Sequence, residues 1–589
     1  MAFLDAFYER LESENTPGPG VLGVPAQMEG EHLTDEEREY ALGVLGDGLL
    51  ALSDPSLGGG YEDLPASVRK AAEGPFLQEP GGEEMPYHLV VYQEDARALS
   101  DLLKHTDPEL QGGYALSTNL SLSSGAYLHY WGSEGDDGWL TSEEIAPLVD
   151  VGTRNKDTNY FMLTGTHLDP ELGIEYAEHE RTNAVEGLFT YEWHDEGATA
   201  RQLTDWLAED LDSDDYQESS RAGRAFAGFM ETVTDPEMYE SLINTGVHVT
   251  EGENDYKDAS FTHFNTELAN SFADIFNAHI HSFAEGSVWE ESGAPIEGIG
   301  NYDPDSRIVD IGPEERAIFM QYLMGNDESA ADVVESVDIY QQIEAAAFLE
   351  SGQEKSTARG AGTIQGLLEE ALKRDSEDRS ADLKETVDRN KQVTGFLVDE
   401  AGNLADKIPI IGKAISKGMG LASDSIVDAI VNGEFDVSPR HPTYTSTEYI
   451  EQNFRLEALD YVSQKYPEEL NNVVRPDEFR TLMEGGVLTI ERGGEVLTAD
   501  DIDENFILDS SIELTIEKNI GNWNSSVRSG DGLNTMDDAL GDIMYDIEII
   551  TSDERTKSGS ERVEDFTGTF TGAYNDTNNF FERQRESRN

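Results

Sequence analysis

The stretch ELANSFADIFNAHIHSFA, Glu267 to Ala284, places Leu268, Phe272, Ile275, Phe276 and Phe283 at intervals of three, four and seven residues. Such intervals return a side chain to the same side of an α-helix, so the segment predicts a helix with one apolar face. Two upstream stretches repeat the pattern. ATARQLTDWLAEDL (198–211) carries Leu203, Trp206, Leu207 and Leu211, and GRAFAGFMETVT (223–234) carries Phe226, Phe229, Met230 and Val233. A helix with one apolar stripe must bury it against another element, so a run of them joined by short Asp, Gly, Ser and Pro connections implies stacked antiparallel hairpins. No strict repeat period is visible.

Toward the N-terminus, ENTPGPGVLGVPAQ (Glu14 to Gln27) reads as a linker because Pro lacks a helix donor and Gly costs order. In LTDEEREYALGVLGDGLLAL, Thr34 is an N-cap before first-turn acids, and Tyr40, Leu42, Leu45, Leu49 and Leu50 form an apolar side. Toward the C-terminus, helices are expected at Ile318 to Leu323, Tyr340 to Leu349, Ile364 to Asp399 and Thr447 to Lys465. VLTIERGGEVLT alternates about Gly493-Gly494, a two-residue hairpin turn. Phe566, Phe570, Tyr574, Phe580 and Phe581 then space a last docking helix. The chain therefore reads as mainly α with a small C-terminal β-hairpin. Its segments are 1–32 (first helix and linker), 33–150 (helical), 151–350 (central helical), 351–433 (long helical hairpin) and 434–589 (α+β).

Within that hairpin, Gly395 to Gly433 is apolar but interrupted by Asp406, Lys407, Lys413, Lys417 and Asp424, and Pro409 breaks it. A membrane span needs about 20 mostly apolar residues, so two helices meeting at Ile408-Pro409 and packing face to face account for it better than membrane insertion.

The chain has 589 residues with 120 Asp and Glu against 40 Lys and Arg, a net charge of -80, and only 14 of its bases are Lys. Such a surface suits high salt, where screening acts over a few Å. The same field repels nucleic-acid phosphates and anionic lipid, which excludes nucleic acid as a partner. Without Cys there is no disulfide, thiol nucleophile or thiolate metal site. The start MAFLDAFYERLESE has acids where a secretory signal has bases, so a cytoplasmic location or a signal-free export route is expected.

SEGDDGWLTSEE, Ser133 to Glu144, is the one metal-like string: Asp137 precedes a turn glycine and Glu144 stands at the final position of an EF-hand-like loop, giving Asp137 and Glu144 as calcium candidates. Ser133 and Gly135 occupy positions that normally supply two further acids, so a solvated acidic turn is the competing reading. His279 and His281, two apart, do not share a helix face, and His279 continues the core stripe; zinc with His263 would need a strand instead. His179 and His194 sit among carboxylates in a chain where acids are everywhere. No phosphate loop, nucleophile elbow or HExxH motif is present, and no catalytic or cofactor-binding residue is assigned.

DVGTRNKDTNYFMLTG (150–165), AVEGLFTYEWHDEGATARQLTDWLAEDLDSDD (184–215), RAGRAFAGFMETVTD (221–235), NTELANSFADIFNAHIHSFA (265–284) and the Arg389 to Val431 block together resemble the actinobacterial proteins that carry a tetratricopeptide-like (TPR) repeat region. The resemblance extends from about Leu33 to the C-terminus and implies a helical, non-enzymatic protein, often tied to type VII secretion, although the W-x-G turn common in that group is not found here. The expected role is an acidic, salt-adapted scaffold that binds a protein partner in an envelope- or secretion-linked system. A toxin or hydrolase with its activity after Gly433, and a virion structural protein, are the alternatives.

Overall fold

The computed structural model describes residues 1–14, 20–29, 33–75, 85–132, 139–168, 178–211, 213–251, 254–256, 258–285, 288–289, 296–351, 355–379, 447–466, 470, 474–503, 506–508, 512–516 and 559–588. The Gly395 to Gly433 hairpin and the Ile364 to Asp399 helix beyond Arg379 lie outside them. Two compact units divide the chain, Met1–Ile275 and Phe276–Asn589.

In the first unit, α1 (Ala2–Glu14), α2 (Val24–Glu29), α3 (Asp35–Ser53), α4 (Ala66–Glu73), α5 (Met85–Leu103), α6 (Tyr114–Trp131) and α7 (Ser142–Thr153) are followed by α8 (Lys156–Thr164) and α9 (Glu178–Thr190). Then come α10 (Ala198–Arg201), α11 (Trp206–Leu211), α12 (Tyr216–Val233), α13 (Pro236–Ile243), the two-stranded ribbon β1 (Val249–Glu251) and β2 (Asn254–Tyr256), and α14 (Thr266–Ala278), within which the division falls. Thr34 caps α3 as its sequence predicts: its hydroxyl accepts from the Glu37 N–H at 3.2 Å and the Glu37 carboxylate accepts from the Thr34 N–H at 2.9 Å. Leu42, Leu49 and Leu50 are buried, but Tyr40 is 75% exposed, because it lies a hundred degrees or so off the buried stripe. Within the expected linker, Gly20–Gln27 is a 3-10 turn running into α2, with Val21 and Leu22 buried and the Val21 N–H held by Glu12 at 2.9 Å.

Helix α6 is the axis of this unit. Gly125 lets α9 approach until a Cβ there would stand 2.3 Å from the Ala184 carbonyl oxygen, and at Gly152 of α7 a Cβ would meet Ser121 Oγ at 2.6 Å. Leu203, Trp206, Leu207 and Leu211 are buried as expected, although turns separate α10 from α11. Phe229 and Phe272, both fully buried, cross edge-on at 5.1 Å, with Phe189 and Phe261 completing the cluster.

In the second unit, α15 (Ile280–Ala284), β3 (Ile299–Asp303) and β4 (Ile308–Ile311) lead to α16 (Pro313–Met324), α17 (Asp327–Ser351) and α18 (Lys355–Arg379). Further along are α19 (Thr447–Lys465), α20 (Pro476–Glu484), β5 (Leu488–Arg492), β6 (Glu495–Val496), β7 (Ile512–Ile516) and α21 (Gly559–Arg588). Strands β3 and β4 pair antiparallel, and the order β6-β5-β7 makes a three-stranded antiparallel sheet. Gly493 and Gly494 form the β5–β6 turn with φ of 62° and 84°, the left-handed geometry that twists in register with the strands. Helix α21 packs along α18 and buries Phe566, Phe570, Phe580 and Phe581, with Phe566 stacked on Phe454 of α19 and edge-on to Phe348 of α17. Gly362 and Gly366 of α18 allow this: a Cβ on Gly362 would stand 2.2 Å from the Phe570 carbonyl oxygen. Arg374 of α18 bridges Glu314 at 2.8 Å and Glu370 at 2.9 Å and lies over the Phe581 ring at 5.2 Å. Arg316, fully buried, donates to the Phe283 and Glu285 carbonyls at the end of α15, and burial pushes its guanidinium down to about 10.

Candidate interaction surface

Several connections in the first unit are tied by arginines that donate to backbone carbonyls. A guanidinium offers a rigid fork of donors, so one side chain can tie several carbonyls that no helix satisfies. Arg154, just after α7, donates to Thr106 Oγ1 at 3.1 Å and to the carbonyls of Asp107 and Leu110 at 2.9 and 3.1 Å, fastening the α5–α6 connection. Arg97 of α5 donates to Glu144 at 2.8 Å and to the Trp139 carbonyl at 3.0 Å. Arg181, 5% exposed, joins α9 to the Met162 carbonyl at the end of α8. These contacts hold consecutive helical hairpins in fixed register.

One surface feature escaped the sequence reading. At the C-terminal end of α6, Tyr130 is 49% exposed and Trp131 and Trp139 are half-buried. Trp131 stacks on Trp139 with centroids 6.2 Å apart and planes 18° apart, and Tyr130 lies 5.4 Å from Trp131. Beneath them Tyr127 is buried, 5.7 Å from Trp131, and its hydroxyl accepts from the Leu140 N–H at 2.9 Å and from Gln93 at 3.0 Å. On the flank His129 touches Tyr130 edge-on at 4.7 Å and reaches Glu186 at 3.2 Å, while Asn183 donates to the Tyr130 hydroxyl at 3.0 Å. The signal that could have exposed it is the aromatic pair at Tyr130-Trp131 ending a helix, with a third ring returning at Trp139.

The residues singled out from sequence are placed as follows. Asp137 lies outside the described residues. Glu144 is the third residue of α7; one oxygen caps the Thr141 N–H at 2.9 Å and the other receives Arg97, so both serve the helix start. His279 and His281 are buried, with His279 at the break between α14 and α15 rather than inside one helix. His281 lies edge-on to Tyr340 at 5.6 Å and 3.8 Å from Glu285. His263 ends a 3-10 turn, and His179 and His194 are exposed. Among the described residues, no group of three or more His, Asp or Glu side chains could hold a metal ion, and no helix is long and apolar enough to cross a membrane.

A family described as a TPR repeat domain matches residues 1–206. Over residues 1–206 the chain is thus similar to a TPR repeat domain, in line with the helical hairpins there. No curated protein and no solved structure matches the chain. TPR domains mediate protein–protein contacts and are typically scaffolds without chemistry of their own; stacked repeats present extended surfaces for that purpose.

Proposed function

We propose that the chain is a non-enzymatic scaffold that binds a protein partner through its N-terminal helical unit, works at high ionic strength, and belongs to an envelope- or secretion-linked system. The TPR repeat domain over residues 1–206 is the observation that carries the binding role. The net charge of -80 with only 14 Lys supports the salt-adapted part, and the likeness of the helical blocks to secretion-linked proteins supports the setting. The charge also argues against nucleic acid. The test is size-exclusion chromatography of native host extract in about 1 M KCl, where screening acts over about 3 Å, with the full chain tagged. Elution in a complex with a stoichiometric second protein is the expected result. Elution at the chain's own mass, with no second protein, defeats the reading.

A further inference from the structure

Half of the exposed large apolar side chains among the described residues lie in the first 57 positions: Phe3, Phe7, Leu33, Tyr40, Val44 and Leu57. Four of them gather along one pair of helices. The Tyr8 hydroxyl of α1 donates to the Leu45 carbonyl of α3, and Met1 approaches Gly58 past the C-terminal end of α3, so the two helices run antiparallel. Phe7 and Val44 each stand one residue before that contact, and at about 100° per residue both turn to the same side of it. Phe3 lies one turn from Phe7 and Tyr40 one turn from Val44, which gives each helix an apolar pair four residues apart. Phe3 is 79% exposed and Val44 52%. The ring contacts of Phe3 and Phe7 are with each other, at 6.2 Å, and with Tyr8, at 5.3 Å from Phe7.

We propose that this face of α1 and α3 holds an amphipathic helix of the partner protein, with apolar anchors one turn apart and a rim of lysine or arginine. This rests on the protein-binding role proposed above and names the partner's chemistry. Charge selects the occupant. Helix α1 carries four acids and α3 five, against two bases, Arg10 and Arg38, and Lys104 beside α3 is itself paired with Asp101 at 3.0 Å. A second copy of this chain would bring the same acids, and an anionic lipid surface would add charge of that sign, so both are disfavoured. A helix with a basic rim is the complement. Salt screens attraction between charges but leaves the contact of apolar surface intact, so the four side chains keep their worth at high ionic strength. Helix α1 is also fixed to its neighbours before binding: Glu12 accepts from the Val21 N–H at 2.9 Å and from the Ser67 N–H at 3.0 Å, so docking orders little.

The experiment measures fluorescence anisotropy of a labelled amphipathic peptide, KLAKLLKKLAKLLK, with the full chain in about 0.15 M and about 1 M KCl, against a twin with glutamate at every lysine. The lysine peptide is expected to bind at both salts, and the glutamate twin about tenfold more weakly at the lower one. Phe3→Ala and Tyr40→Ala should each lose about tenfold, while Tyr216→Ala, at an exposed ring on α12, loses nothing. Phe3 and Tyr40 are exposed enough that their truncation leaves the fold intact, which far-ultraviolet circular dichroism checks. No binding of the lysine peptide, equal binding of the glutamate twin, or equal behaviour of Phe3→Ala, Tyr40→Ala and Tyr216→Ala overturns the proposed face. A dimer of the chain in analytical ultracentrifugation that Phe3→Ala dissolves overturns it too, because a second copy then takes the site. Failure of the face is separable from failure of the scaffold. A partner that co-elutes equally with wild type and Phe3→Ala leaves the scaffold standing and removes the face, whereas the absence of any partner removes the scaffold.

Discussion

Glu369 of α18 receives the Tyr574 hydroxyl of α21 and a hydrogen bond from Gln365, yet burial outweighs both and raises its carboxyl above the ordinary 4.5. Burial raises Glu285 as well. A carboxyl that holds its proton longer in the folded chain than in the unfolded one favours folding below the ordinary value. That contribution is lost as pH rises through the folded value. Glu369→Gln should therefore flatten the fall in melting temperature as pH rises above 4.5, because an amide still accepts from Tyr574 without ionising. Parallel pH profiles for the two proteins would refute this. At Thr34, whose capping box is complete, Thr34→Ala should cost about 1 kcal/mol in urea unfolding of the first unit. The cap was legible because Thr followed by Glu three residues on is a local pattern. The burial of Glu369 was not, since its cover comes from a helix some two hundred residues later.

Helices with a single apolar stripe could be read directly, and α12 and α14 bury the residues their spacing marked. Helix α6 could not. It is buried on nearly every side, with Ser117, Ser121, Ser123 and Ser124 inside, so it has no polar face to reveal a period. Its hydroxyls are small enough for α7, α8 and α9 to pack closely around it, as where Thr118 meets Thr158 at 3.1 Å. The same closeness operates between α18 and α21. Gly362→Leu would drive a side chain into the Phe570 backbone, which cannot rotate away, and should cost about 1–3 kcal/mol or more. Amide hydrogen exchange should then show α21 losing protection while α12 keeps it. Gly572→Ala, on α21 with nothing within 4 Å of the added carbon, should instead stabilise by up to about 1 kcal/mol. Loss of stability there would show that α21 is packed on that side too.

For the molecule as a whole, a charge of -80 works against every compact state, and added salt relieves it. The thermal midpoint should rise steeply with KCl and then level off, with sodium chloride following the same curve, as screening requires; a midpoint indifferent to salt would exclude salt adaptation. Sequence by itself determined the mainly helical class, the Thr34 start, the Gly493-Gly494 turn and the net charge of -80, because each depends on neighbours within a few residues or on composition. Only the tertiary structure decided that part of the expected linker is packed, that Glu144 serves Arg97 and its own helix start, and that Tyr130, Trp131 and Trp139 gather into one surface. Those outcomes depend on which distant backbone arrives at each side chain, and periodicity along the chain carries no record of it.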